Sequence, residues 1–348
     1  MNMTKSNTFT VIGTAIALAL GTSAAIANET KTEPLIPVTV ENFVEVEVDA
    51  RIHAFTQAGG MNGGMVYDVP TPTDNQAVPR MNRDTLYKGI PVDTSEGYTI
   101  SIPEHSDDRY VSVYVLDNDH KTLHILKGSG TTHTFDKQED TRWVVAIPRI
   151  QVFDQADKDD VAIAAEILHS VTVTSDSMDE KPLVNWDWQG MMEMRSGYEQ
   201  EMRDTITQYP SDWQGARGEV DRYEGHNMAV ATSWGLFPSS ETVYIAQAPD
   251  LGTEQCFTAT YDVPEHGAFW SMTVYNDEGY MFSQHNNINS ASMAMNEDGT
   301  ATIHYGSEEV CGQVANRLDT TEGWNLLMRV YEPGQSVIDG DYKLPKIR

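Results

Sequence analysis

The densest group of chemically capable residues runs from Asp74-Asn75-Gln76 through Arg80, Asn82, Arg83 and Asp84 to Tyr87. A guanidinium holds an anionic group through paired N–H donors, and a carboxylate orients water or moves a proton. Arg80 and Arg83 are therefore candidates to anchor a substrate, Asp84 is a candidate for acid–base work, and Asn82 and Tyr87 are supporting hydrogen-bond donors. The same residues serve equally well as buried, charge-assisted bonds that fix a loop. A second group, Asp117-Asn118-Asp119-His120, directly follows a strand-like run, where sites are commonly carried. His120 titrates near neutrality and completes an acid–base set with Asp84. Asp117 and Asp119, with His120, also offer the mixed oxygen and nitrogen donors of a divalent metal site. A turn, which Asp and Asn favour, is the plainer reading of that tetrad. A third group, Gln284-His285-Asn286-Asn287-Ile288-Asn289, presents amides to a ligand or bonds to its own backbone.

Several well-defined chemistries are missing from the chain. There is no G-x-S-x-G elbow for an α/β-hydrolase serine. No H-E-x-x-H zinc motif occurs, and no Walker A or G-x-G-x-x-G loop accompanies a βαβ unit. The aromatics Trp186, Trp188, Trp234, Phe269 and Trp270 are read mainly as core.

The 52 acidic residues outnumber the 23 Lys and Arg, giving a formal net charge of -29. Such a field repels nucleic acid and anionic membrane surfaces. It also disfavours an anionic small molecule unless a local basic pocket overcomes it. The acids are dispersed rather than gathered into a tail, which suits solubility in salty water more than one cationic partner. The expected partner is a small-molecule substrate or ligand, and assembly into a homo-oligomer is compatible with the composition.

The first residues predict export. Lys5 gives a positive start, Val11 to Leu20 is apolar, and Ala25-Ile26-Ala27 is an A-x-A cleavage site. The apolar run falls short of the ~20 residues a spanning helix needs. Cleavage is expected after Ala27, leaving a soluble periplasmic or secreted protein with no membrane insertion. In that oxidising setting Cys256 and Cys311 are expected to pair as a disulfide.

The elements that must position these groups follow from periodicity. Thr39 to Gln57 carries a helical stripe with Thr39 as N-cap, ended by Gly59-Gly60. Alternating runs at Tyr98–Ile102, Tyr110–Leu116, His124–Leu126 and Arg142–Ile147 predict antiparallel strands. Asp159–Ser170 reads as a short helix. Met191, Met194, Tyr198, Met202 and Ile206 form a second helical stripe, ended by Pro210. Ser211 caps a third helix running towards Trp234. Strands return at Thr242–Ala246, Cys256–Tyr261, Ala268–Tyr275, Ala291–Met295, Ala301–Tyr305 and Asn325–Tyr331. Asn276-Asp277-Glu278-Gly279 and Asn296-Glu297-Asp298-Gly299 read as hairpin turns. The predicted fold class is mainly β with a helical linker (α+β), built of two antiparallel β-sandwich or jelly-roll-like domains. The expected boundaries are a signal peptide at 1–27, an N-terminal β domain at 28–160, a helical linker at 161–235 and a C-terminal β domain at 236–348.

Two blocks of sequence carry a family resemblance. Pro72-Thr73-Asp74-Asn75-Gln76, the run Arg80 to Tyr87, and Asn118-Asp119-His120 resemble the domain of unknown function 1254. Gly235-Leu236-Phe237-Pro238, Ala268 to Tyr275, Trp324 to Tyr331 and the ending Asp339 to Pro345 resemble the domain of unknown function 1214. The resemblance implies two sandwich-like domains joined by helices, often in exported bacterial proteins, and it assigns no chemistry. Two functions are carried forward. One is a hydrolase for a small organic substrate in a pocket at strand ends or between the domains. The other is a noncatalytic ligand-binding or structural assembly module.

Overall fold

The computed structural model describes residues 34–76, 79–205, 210, 213–220 and 223–348. The export segment expected at 1–27 lies outside them, as do Ile206 and Ser211. Among the described residues no helix is long and apolar enough to cross a membrane. The fold is mainly β; among the described residues the sheets are open, their ladders are antiparallel apart from one short pair, and none closes into a barrel.

The N-terminal half holds a five-stranded sheet in the order β1 (Met65–Tyr67), β2 (Thr85–Asp93), β7 (Trp143–Gln151), β4 (Val111–Leu116), β5 (Thr122–Leu126). A three-stranded sheet, β6 (Thr132–Phe135), β3 (Tyr98–Ser101), β8 (Thr172–Thr174), covers one of its faces. Strand alternation explains the pairing. Leu86, Ile90 and Val92 of β2, Val111, Val113 and Val115 of β4, and Val144, Ala146 and Ile150 of β7 pack on Tyr98 and Ile100 of β3 and Val173 of β8. Helix α2 (Lys158–Ser170) adds Ala164 and Leu168 to this core. Its N-cap Asp157 accepts from the N–H groups of Asp159 and Asp160.

The C-terminal half repeats the plan. Its four-stranded sheet runs β12 (Asn287–Asn289), β11 (Trp270–Tyr275), β15 (Asn325–Tyr331), β9 (Thr242–Gln247). The smaller sheet is β10 (Phe257–Tyr261), β13 (Ala301–Tyr305), β14 (Arg317–Leu318), with β13–β14 parallel. Trp270, Met272, Val274, Leu326, Met328 and Val330 point into this sandwich, at every second position, against Phe257, Tyr261, Ile303 and Tyr305.

Helices α1 (Phe43–Gly59), α3 (Trp188–Thr205) and α4 (Tyr223–Thr232) pack together beside the five-stranded sheet. Phe43, Val46, Ile52, Phe55, Met191 and Val230 join Tyr114, Val145 and Ile147 of the N-terminal half, and Phe237, Phe269 and Tyr331 of the C-terminal half, in one apolar cluster. Buried ion pairs lock α1 in place: Arg195 of α3 holds Glu47, and Lys181 holds Asp49 at 2.8 Å.

Some expectations need correction. Helix α1 starts at Phe43 with Asn42 as N-cap, because the Asn42 side chain accepts the Thr39 N–H at 2.8 Å and closes a turn before the helix begins. Ala291–Met295 is no strand: the Ala294 N–H goes to the Asn316 side chain, and the Met293 N–H turns back to Asn289. The Asn296–Gly299 turn therefore leads into β13 without joining two strands. Two strands lie where loops were expected: β2 begins inside the Arg80–Tyr87 block, and β12 lies within Gln284–Asn289. The stretch 161–235 contributes β8 to the N-terminal half through its pairing with β3.

Cys256 and Cys311 lie at disulfide-bonding distance (Sγ–Sγ 2.08 Å, Cα–Cα 4.8 Å), tying the start of β10 to α5 (Glu308–Cys311). The bond closes a loop with a separation of 55 residues, for which chain entropy gives roughly 4 kcal/mol. The Cys256→Ser/Cys311→Ser variant should show a lower urea midpoint than the oxidised protein, and dithiothreitol should bring the unmodified protein down to the same value. Equal midpoints in oxidised and reduced protein would mean that the pair adds no stability.

Candidate functional site

The two larger sheets each bury both faces. One face of each is apolar and belongs to its own sandwich. The other faces of the two sheets meet, and this second layer is polar. In β7 the alternate positions bring Ile147, Arg149 and Gln151 to it. In β15 they bring Asn325, Leu327, Arg329 and Tyr331. Each arginine lies on the middle strand of its trio. Arg149 is flanked by Tyr87 of β2 and Ser112 of β4, and Arg329 by Ser271 of β11 and Tyr244 of β9. Direct contacts join the halves across the layer. The Ser271 hydroxyl donates to Asp84 at 2.6 Å and Asn287 Nδ2 donates to it at 2.9 Å. Asn82 Nδ2 donates to the Tyr331 hydroxyl at 3.0 Å, and the Tyr110 hydroxyl donates to Glu241 at 2.5 Å. The rings of Phe269 and Tyr331 stack at 4.0 Å, with Tyr110 at 5.5 Å from Tyr331.

The two arginines are served differently. Arg329 donates to Thr273 at 3.0 Å, and to the Tyr275 hydroxyl and the Arg80 carbonyl at 2.8 Å each. Asp84 acts on it as the nearby negative charge. Arg149 has no carboxylate in ion-pair reach among the described residues. Its Nη2 donates to the Gly235 carbonyl, its plane covers the Phe237 ring at 3.8 Å, and its buried Nε has no partner. Gly235 has φ 80° and a Cβ there would stand 3.3 Å from Arg149 Nη2, so glycine is needed for that contact. Tyr87 and Tyr244 each keep some accessible surface. A cavity of ≈ 370 Å³ runs up to Phe237, Tyr244 and Thr242, whose buried hydroxyl is also without a partner.

The residues singled out in the sequence fall into three places. Asp84, Asn82, Arg83 and Tyr87 belong to the polar layer. Asp84 is fully buried, and burial holds its carboxyl above the usual range against the pull of Arg329. Arg83 is also buried; it donates to Gln284 at 2.9 Å and leaves Nε and Nη1 without partners. Arg80 stands at the edge, its guanidinium 6.0 Å over the Tyr275 ring. His120 lies elsewhere and does not pair with Asp84. Its Nε2 accepts the Gly235 N–H at 2.8 Å, so the proton is on Nδ1, which donates to Gln214 Oε1 at 3.1 Å. Both ring nitrogens are thus occupied, and the acid–base pairing of Asp84 with His120 is corrected to two separate structural roles. His120 links the 117–120 turn to Gly235, and through the Gly235 carbonyl to Arg149.

The metal expectation for Asp117 and Asp119 is also corrected. Both carboxylates are taken by Arg217, Asp119 at 2.9 Å, and Asp117 additionally accepts the Asp119 and Lys121 N–H groups. No cluster of three metal-type ligands occurs among the described residues. The residues that the sequence reading missed are Arg149, Arg329, Tyr244 and Glu241. Arg149 and Arg329 were visible as lone arginines in otherwise apolar runs, while nothing in the sequence set Tyr244 or Glu241 apart.

Residues 62–174 match the family model described as protein of unknown function (DUF1254), and residues 251–335 match the one described as protein of unknown function (DUF1214). No curated protein matches the chain. Among solved structures, the VPA0106 protein from Vibrio parahaemolyticus is similar at 15% identity and TM-score 0.66, over 88% of this chain and 97% of that one. An uncharacterized protein from Burkholderia cenocepacia is similar at 14% identity and TM-score 0.53, over 96% of this chain and 94% of that one. At such identities the likeness speaks for the fold alone.

The neutral histidines make stability depend on pH. Burial lowers the pKa of His120 and of His226, whose ring lies 5.6 Å away. The unfolded side chains titrate near 6.5. As pH falls through that value the unfolded chain takes up protons that the folded chain refuses. Stability should therefore drop by up to about 1.4 kcal/mol per pH unit for each such histidine. Asp84, whose folded pKa is raised, works in the opposite sense closer to the carboxylate range. Urea midpoints should fall between pH 7.5 and 5.5, and His120→Gln should flatten that slope. An unchanged slope in the variant would remove His120 from the account.

Proposed function

The chain carries paired DUF1254 and DUF1214 domains and belongs to the family that they define; we propose that it is an exported, noncatalytic module that holds a small organic anion between its two halves. The observation that carries this reading is the unpaired guanidinium of Arg149. With 52 acidic residues in the chain, a missing carboxylate is not a matter of supply. Arg109, Arg142, Arg195, Arg217 and Arg317 each have one, while among the described residues Arg51, Arg80, Arg83 and Arg329 share with Arg149 the lack of an ion pair. Burying a charge without a counter-charge costs several kcal/mol, and a bound carboxylate would supply both the charge and an acceptor for the free Nε–H. Arg83, with two free N–H groups, adds to the positive character. Glu241 does not offset it, because Lys127 holds that carboxylate at 2.8 Å.

The aromatic walls favour an organic anion over a bare inorganic one. Phe237, Tyr87 and Tyr114 surround the Arg149 guanidinium at 3.8, 5.5 and 5.7 Å, and Phe237 also bounds the neighbouring cavity. The hydrolase reading loses its general base, since His120 spends both nitrogens on the fold. Export is supported by the positive, apolar and A-x-A segments at the start of the sequence and by the cysteine pair.

Titration calorimetry of the mature chain with sodium acetate, succinate and benzoate, against sodium chloride at equal ionic strength, tests the proposal. At least one carboxylate should bind and raise the melting temperature, and Arg149→Met should abolish both effects while folding normally. Arg195→Met should instead destabilise by about 3–5 kcal/mol, because it strands the buried Glu47. Failure of all three carboxylates, or equal binding to Arg149→Met, overturns the reading.

A further inference from the structure

The site around Arg149 leaves one candidate anchor of the sequence, Arg80, without a part. Arg80 lines a separate cleft of ≈ 210 Å³, where the end of the polar layer meets α3 and the Asn276–Gly279 turn. Its backbone has φ 57°, a left-handed conformation that residues with a Cβ seldom adopt and that gathers at functional sites. Two main-chain bonds hold it there. Its N–H donates to the Gly279 carbonyl at 2.7 Å, and its own carbonyl accepts from Arg329 at 2.8 Å. The guanidinium leans over the Tyr275 ring at 6.0 Å. It has neither an ion pair nor a hydrogen bond among the described residues, and its nitrogens, on a half-buried side chain, keep accessible surface.

The turn that receives the Arg80 N–H also carries carboxylates. Asp277 and Glu278 are exposed on the lining of the same cleft, and neither pairs with Arg80. The turn is tightly held. The Gly279 N–H returns to the Asn276 carbonyl at 3.0 Å, and the Tyr280 N–H donates to the Asn276 side chain at 2.8 Å. Asn325 Nδ2 adds a bond to the Asn276 carbonyl at 2.7 Å. Opposite charges are thus tied to one stretch of backbone around one small hollow, yet kept beyond ion-pair distance. Glu199 of α3 is a further carboxylate on the lining, and Met202 and Ala246 give the cleft apolar wall.

We propose that this cleft binds a free α-amino acid with a short aliphatic side chain. The ligand carboxylate lies on the Arg80 guanidinium, its ammonium faces Asp277 and Glu278, and its side chain rests on Met202 and Ala246. A simple anion would satisfy Arg80 but meet the carboxylates of the turn, and a simple cation would do the reverse. A zwitterion answers both. The guanidinium takes a carboxylate through paired N–H donors, and an ammonium brings three donors and no acceptor. Having no net charge, such a ligand is not opposed by the field of a chain at -29. A volume below the roughly 300–1,000 Å³ of drug-sized pockets suits a molecule of this size. The proposal does not rest on the anion assigned to Arg149, because none of the residues it uses belongs to that site.

Titration calorimetry of the mature chain with L-valine tests it. Isobutylammonium chloride, which lacks the carboxylate, and sodium isovalerate, which lacks the ammonium, are the matched single ions. Each titration is repeated in Arg149→Met, where the carboxylate site proposed above is gone. Valine should bind at one site per chain in both proteins, and in Arg149→Met neither single ion should bind as well. Arg80→Gln should weaken valine binding about tenfold or more. The double variant Asp277→Asn/Glu278→Gln, on the exposed turn where folding is not at stake, should weaken it about threefold. Circular dichroism checks that each variant is folded. Absence of valine binding to the unmodified chain overturns the assignment. So does loss of valine binding in folded Arg149→Met, which would place valine at the other site. Binding of either single ion as tight as that of valine in Arg149→Met, or indifference of valine to both Arg80→Gln and the double variant, overturns it as well.

Discussion

A guanidinium buried between two sheets must find acceptors and a counter-charge inside the protein, because water is no longer there to provide them. Arg149 and Arg329 impose that demand on the centre of this molecule, each from the middle strand of its sheet. Arg329 is answered by Tyr275, Thr273, a main-chain carbonyl and the neighbouring Asp84. The answer comes from both halves, since Asp84 precedes β2 while Thr273 and Tyr275 belong to β11. The docking of one sandwich on the other is thus written in polar contacts as well as in the Phe269–Tyr331–Tyr110 stack. Arg149 is answered only in part, and its surroundings therefore carry the functional reading.

The polar layer also explains residues that otherwise look wasteful. His120 spends a buried imidazole on one backbone N–H and one amide. The return is a fixed Gly235, whose carbonyl is, among the described residues, the acceptor that holds Arg149. Gln214 completes the same relay by donating to the His120 carbonyl at 2.9 Å and to the Tyr114 hydroxyl at 2.8 Å. A polar network of this kind is costly if any member is missing and rigid when all are present.

Much of the fold was legible in the sequence and the site only partly so. Alternation exposed β3, β4, β13 and β15 because one face of each is apolar, and the family resemblance named both halves from short runs such as Arg80 to Tyr87. Ala291–Met295 misled because its alternation is real but its N–H groups are claimed by Asn289 and Asn316, which no local pattern announces. Among site residues, Asp84, Asn82, Arg83 and Tyr87 stood out as a dense polar run and do share the central layer. His120 stood out for the same reason and belongs to the scaffold, since sequence spacing does not tell which hydrogen bonds a ring will make. Arg149 hid because its strand was read as ending at Ile147, and Arg329 because it sat inside a strand read only for its apolar face; only the meeting of two sheets gives them a common address.

The order in which the chain is made has a bearing on that centre. Strand β15, which carries Arg329 and Tyr331, is the last strand in sequence but an interior one in its sheet, between β11 and β9. A polypeptide emerging from its amino end during synthesis therefore presents the N-terminal sandwich long before anything can cover its Arg149 face. Closure waits for nearly the whole molecule, and until then a broad tyrosine-lined surface and two unpaired strand edges stay open. Such a species is a natural client for holding chaperones and a natural seed for aggregation, so slow or stalled synthesis endangers this architecture more than it would one finished by a peripheral strand.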